Sequence, residues 1–154
     1  MKPSSPRSSF EWQHLILRVY LGLDFIHHFA EKFGLLGPLA YGNVLHYFRS
    51  TVPGDAALFL FIAGLCEFAA FVGFTFGLFT RVAAVGTALY LLVASIVGGH
   101  FANGFTWANV GGGWEYPLLW TVLCLSFVLT GGGRDSLDAW LRSRLPAPLR
   151  WLCA

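Results

Sequence analysis

Six ionisable side chains, Arg18, Asp24, His27, His28, Glu31 and Lys32, fall within residues 18–32, a stretch otherwise made of Leu, Val, Ile, Phe, Tyr, Gly and Ala. At about 100° per residue, Asp24, His28 and Glu31 share one helical stripe, His27 borders it, and Arg18, Phe25 and Lys32 lie on an adjacent one. A charge at bilayer depth costs about 2.5–3.5 kcal/mol on insertion scales. Such groups therefore face a protein interior or a watery cavity, where they pair, relay protons or hold a ligand. Glu67 is a second isolated carboxylate, expected at the depth of Asp24 near the midplane. Arg18 to Glu67, or Arg18 to Asp24, is the expected buried pair, either fixing helix register or serving a proton relay or ligand.

A second constellation follows from where the apolar segments end. His27, His28, Glu31, His100, Asn103, Glu115 and Tyr116 are expected to meet at one mouth. Imidazole with carboxylate suits zinc, copper or iron, but no His-x-x-x-His or Glu-x-x-His spacing supports it, and His27 and Glu31 are only weak metal candidates. A haem between His28 and His100 is a further possibility for a helical bundle, and no covalently held cofactor is expected. A quinone asks for less: an aromatic slot open to lipid with one or two hydrogen-bonding groups that exchange protons. His28, His100, Glu115 and Trp114, with Trp107, Phe101 and Phe105 around them, supply those parts. The competing reading is an ordered polar plug beneath an ordinary aromatic belt.

The elements that must position these groups read as membrane spans. The chain has 154 residues, of which 56% are hydrophobic, 17% aromatic and only 12% charged. A soluble domain carries about 25% charged residues. The expected fold is an all-α membrane protein, a single four-transmembrane-helix bundle with spans at about 12–32, 56–79, 82–100 and 116–132. The stretch 33–55, rich in Gly and Pro, reads as a loop with interfacial aromatics from Tyr41 to Phe48. Spans two and three read as a tight hairpin, and 134–144 as a short amphipathic helix with Leu137, Trp140 and Leu141 on its apolar side.

Lys2, Arg7, Arg81, Arg134, Arg142, Arg144 and Arg150 fall on one side, against Lys32 and Arg49 on the other. Both termini are therefore expected in the cytoplasm, in a bacterial inner membrane, with the first span retained rather than cleaved. The net charge of +2 is too small for nucleic acid as a partner, and Cys66, Cys124 and Cys153 lack the spacing of a disulfide framework or metal site. Residues 98–113 hold six of the eighteen glycines and no Lys, Arg, Asp or Glu, the composition of a lid or partner-docking surface.

With these residues in view the chain resembles the DoxX family of small four-span membrane proteins over roughly Leu15 to Leu141. The landmarks are Arg18, Gly22, His28 and Lys32; Gly64 and Glu67; Gly77, Leu78, Thr80 and Arg81; and His100, Asn103, Gly104 and Phe105. To these are added Gly111 to Tyr116 and the run GGGRDSLD that begins at Gly131. Phe29 stands where the family pattern commonly has Gly, and Asp24 and His27 are additional. The resemblance implies a small subunit of a membrane redox assembly, similar to the membrane subunit associated with thiosulfate:quinone oxidoreductase, with an electron donor carried by a partner protein. The alternative is a non-catalytic scaffold that docks a larger membrane complex.

Overall fold

In the computed structural model, which describes residues 6–153, every regular element is helical. Lys2, counted above for the topology, lies outside the described residues. Helix α1 spans Ser9–Lys32 and opens on a capping box: Ser8 accepts from the Glu11 N–H while the Glu11 carboxylate accepts from the Ser8 N–H. Helices α2 (Pro38–Thr51), α3 (Ala56–Phe76), α4 (Thr80–Val97), α5 (Glu115–Thr130) and α6 (Leu137–Arg142) follow, then a 3₁₀ segment, Ala147–Cys153.

Helix α2 corrects the expected loop between the first two spans. Its Gly and Pro residues punctuate the ends of a helix. Gly34 and Gly37 precede it in left-handed conformations, Pro38 takes the first turn, and Pro53 and Gly54 follow its end. Tyr41, Val44, Leu45 and Phe48 recur at helical spacing and are half-buried.

Helix α1 packs along α3, α3 along α4, and α4 along α5. Lipid supplies no hydrophobic drive for such contacts, so close approach by small residues has to provide the packing. A Cβ on Gly22 would collide with Thr75, one on Gly73 with Ala83, and one on Gly64 would sit 2.8 Å from the Phe33 ring and 3.3 Å from Lys32 Cβ. These three contacts set the register of α1, α3 and α4. Leu21, Phe25, Ala70, Phe74, Ala84, Ala88, Trp120, Cys124 and Phe127 form the buried core between the four long helices.

Two helices, α3 and α4, are long and apolar enough to cross a membrane, and α5 is apolar but shorter. Their outward faces are apolar too. Val85, Leu89, Leu92, Val93 and Ile96 of α4 and Leu118, Leu119, Val122, Leu125 and Leu129 of α5 are all exposed. Contiguous apolar exposure of this extent is what a lipid surround accommodates. The tight hairpin is borne out: α3 and α4 are joined by Gly77, Leu78 and Phe79 alone.

Candidate functional site

The lower end of the bundle, where α3 turns into α4, is built around Arg18. Its guanidinium, on a residue only 1% exposed, does not pair with Glu67 or Asp24 as expected. Nη1 donates to the carbonyls of Phe74 (2.5 Å) and Thr75 (3.1 Å), and Nη2 to that of Asp135 (2.6 Å). The physical reason is the missing partners of a helix end. The last carbonyls of α3 have no N–H within the helix, and a planar five-donor side chain satisfies several at once. Gly77 closes α3 at φ 64°, and a Cβ there would lie 2.7 Å from Arg18 Nη1.

The opposite helix terminus is served by Asp138. Buried, it accepts from the N–H groups of Phe79 (2.6 Å) and Thr80 (2.8 Å), which open α4. Its own N–H donates to Gly77 O. The GGGRDSLD run is thus a structural clasp on the α3–α4 turn. Around it, hydrogen bonds from Arg7 hold the Asp135 carboxyl below its ordinary range. Burial, then Asp138, pushes the Cys153 thiol up to about 11. A small open cleft beside the clasp is lined by Phe10, Glu11, His14, Thr130, Gly133 and Arg134.

Glu67 finds its partners in Lys32 and Tyr90. Lys32 Nζ lies 2.9 Å from Glu67 Oε1, and Tyr90 Oη donates to the same oxygen at 2.5 Å. Lys32 also reaches Glu31 Oε1 at 3.6 Å and the His28 carbonyl at 3.3 Å. Three helices therefore meet at one buried ion pair. The register that brings Gly64 against Lys32 also brings Glu67 there, while Arg18 lies more than a dozen residues back along α1.

Asp24 and His28 are treated differently. Asp24 is half-buried and His28 exposed, and among the described residues neither side chain has a polar partner; His28 meets only the rings of Phe25 and His27. Both continue the stripe of Tyr20, at i+4 and i+8. Tyr20 stacks on Trp120 of α5 with centroids 6.2 Å apart, and His14 meets Phe127 at 5.1 Å, so α1 and α5 run antiparallel and touch through side chains. Beyond the stack, α5 and the preceding loop continue as an aromatic ladder: Trp120 to Tyr116 at 6.0 Å, Tyr116 to Trp107 at 5.3 Å, and Trp107 to His100 at 5.5 Å. The unpaired groups and the ladder thus leave the Tyr20–Trp120 contact in the same direction.

The groups expected at a single mouth have separate polar partners. Glu31 turns inward to Lys32 and pairs loosely with His27 at 3.8 Å, whose side chain is 72% exposed. His100 belongs instead to the loop after α4, where its Nδ1 lies 2.8 Å from Gly112 O. Glu115 accepts from the Trp107 N–H at 3.0 Å, and Trp114 packs on Phe105 and Phe101. The glycine-rich stretch is pinned by its own backbone, with the Trp114 and Glu115 N–H groups donating to Gly104 and Phe105 carbonyls. Gly113 permits this, because a Cβ there would strike three carbonyl oxygens. Among the described residues no three His, Cys, Asp or Glu side chains gather as a metal site would require.

Sequence reasoning missed Lys32 and Tyr90 as the partners of Glu67. Tyr90 is one aromatic in an apolar helix, and nothing in its local pattern marks it; Lys32 was legible only as the last charge of α1. Among curated proteins and solved structures no match to this chain is found. A family model does match, over residues 14–100, a segment that contains Arg18, Asp24, His28, Lys32, Glu67, Tyr90 and His100. This all-helical membrane protein belongs to the DoxX family.

Proposed function

We propose that the chain is a small four-span subunit of a membrane redox assembly that holds a quinone head group between α1 and α5. The observation that carries this reading is the pair on one stripe of α1, Asp24 and His28, which has no polar partner among the described residues and follows, one and two turns on, the Tyr20 that stacks on Trp120 at the start of the aromatic ladder. A quinone ring stacks on aromatic faces, and its two carbonyls accept hydrogen bonds and then protons as it is reduced. His28 is the donor to one carbonyl. Asp24 receives or returns the proton. His100, Trp114 and Glu115 shape the upper wall, and the orientation with both termini in the cytoplasm of a bacterial inner membrane rests on the Lys and Arg distribution. The electron donor is a partner protein, since the chain has no iron–sulfur or flavin motif.

The test is purification in mild detergent, with co-purifying chains identified and extracted quinone quantified. Wild type is expected to carry quinone, and His28→Ala or Asp24→Asn to bind it roughly tenfold more weakly, about 1.4 kcal/mol, while remaining assembled. One observation favours a second reading, a scaffold that docks a larger complex: the polar groups of His100 and Glu115 are already engaged within the loop. That reading is chosen if a large partner co-purifies without quinone and both variants retain full turnover.

A further inference from the structure

The arginines at the clasp end of the bundle divide into two groups. Arg7 and Arg134 lie against carboxylates, those of Asp135 and Glu11. Arg142, Arg144 and Arg150 have none among the described residues. The one Asp or Glu in residues 137–154 is Asp138, and it is buried and occupied by the N–H groups of Phe79 and Thr80. The backbone nonetheless draws these cations together. Arg144 Nη1 donates to the Trp140 carbonyl at 2.8 Å, with its Cζ 3.7 Å from the centroid of the Trp140 ring. Arg150 folds back past Pro148 and Pro146 to donate from Nε to the Leu145 carbonyl at 3.1 Å, next in sequence to Arg144, and Arg142 closes α6 two residues before it. Like charges gathered without a counter-charge repel one another, and an anion relieves the repulsion.

The depth of the cluster selects the anion. Asp138 fastens α6 to the first N–H groups of α4, and the 3₁₀ segment packs on both α6 and α4, with Cys153 only 2% exposed. Helix α4 is long and apolar enough to cross a membrane, so this layer stands where a span leaves the hydrocarbon. Trp140 and Trp151 are 55% and 61% exposed there, and Leu137 and Leu149 are exposed on the same two elements. Exposed indoles and leucines at head-group level, interleaved with arginine, are what a segment lying in an anionic interface presents. A free phosphate or an acidic soluble protein would answer the charge and leave the indoles unexplained.

We propose that Arg142, Arg144 and Arg150, with Trp140 and Trp151 set into the interface beside them, form a binding surface for the head groups of anionic phospholipids. The guanidinium fork matches phosphate oxygens, and stacking over Trp140 holds Arg144 ready for them. The surface lies at the opposite end of α4 from the His100 loop and does not depend on the quinone reading.

The experiment is native mass spectrometry of the full chain, purified in mild detergent and titrated with phosphatidylglycerol or with phosphatidylcholine of the same acyl chains. Wild type is expected to bind the anionic lipid about tenfold or more tightly, since each basic residue at an anionic surface contributes roughly fivefold. The triple variant Arg142→Gln, Arg144→Gln, Arg150→Gln is expected to lose that preference, and Arg49→Gln, at the other end of the bundle, to keep it. Arg142→Gln alone has no hydrogen bond to lose among the described residues, so it reads the site even if the triple variant folds poorly; a roughly fivefold weakening is expected. Equal affinity of wild type for the two lipids, an undiminished preference in both the triple and the single variant, or displacement of the lipid by millimolar inorganic phosphate would each overturn the proposal.

Discussion

Arg18 and Asp24 lie six residues apart on one helix, yet the bundle treats them in opposite ways. Arg18 spends its guanidinium on three backbone carbonyls at the α3 terminus and is sealed by the segment after α5. Asp24 has no polar partner among the described residues and lies half-buried one turn beyond the Tyr20 that stacks on Trp120. In a medium that penalises every unsatisfied polar group, a charge saturated by backbone is a fastener, whereas an unsatisfied one awaits something outside the chain. The lower clasp is therefore structure, and the flank between α1 and α5 carries the proposed recognition site.

The contrast can be broken most forcefully at the clasp. Arg18→Ala strands the carbonyls of Phe74, Thr75 and Asp135, each charge-assisted bond being worth about 1.5–3 kcal/mol, so a stability loss of about 3 kcal/mol or more is expected. Unfolding in mixed micelles followed by circular dichroism measures it. A loss no larger than that of Asp24→Ala would erase the distinction between the two charges.

Next comes the ion pair. Glu67→Leu leaves the Lys32 ammonium buried without its main partner, at a cost of about 3–5 kcal/mol, while the double variant Lys32→Met, Glu67→Leu should recover most of that loss. The same unfolding assay reads the coupling, and a double variant as unstable as the single one would show that the pair is not the unit.

A smaller effect is expected on the open flank. His28→Ala and Asp24→Asn should change unfolding free energy by less than about 1 kcal/mol, because among the described residues neither side chain has a polar partner to lose. Their effect should appear in quinone content instead. If either variant unfolds as readily as Arg18→Ala, the stripe is part of the frame.

The smallest effect lies at the surface, in the pair of Arg7 with Asp135. The folded-state pKa of Asp135 is depressed, so its contribution is present above the unfolded value of about 3.9 and is lost as pH falls through the lower folded value. Both side chains are well solvated, and screening keeps the term small. The melting temperature of Asp135→Asn should lie slightly below wild type at pH 6 and converge with it below about pH 4. A gap that widens in acid would refute this sign.

Much of the frame could be read from residue spacing, because the apolar runs of α3, α4 and α5 and the polar breaks between them are local. Helix α2 is equally local, but the Gly and Pro residues at its ends have the composition of a loop and mask the helical stripe of Tyr41, Val44, Leu45 and Phe48. The partners of Arg18 left no trace in the pattern, since carbonyl oxygens belong to every residue. The Lys32–Glu67 pair depended on register, and register is decided by where Gly22 and Gly64 let α1 approach α3, a tertiary fact. The engagement of His100 within its own loop has the same kind of origin, with Gly112 O as its partner.

Asp138 supplies the N–H acceptors that open α4, some sixty residues earlier in the chain, where Phe79 holds a left-handed φ of 48° without being glycine. A chain made from its N-terminus therefore delivers the α3–α4 hairpin well before the carboxylate that completes it. During synthesis the strained turn must wait, its amides served by water or lipid head groups, until α6 emerges and docks. Residues of α6 thus close a joint laid down near the middle of the chain, and a product cut short before residue 138 would enter the bilayer with that joint open.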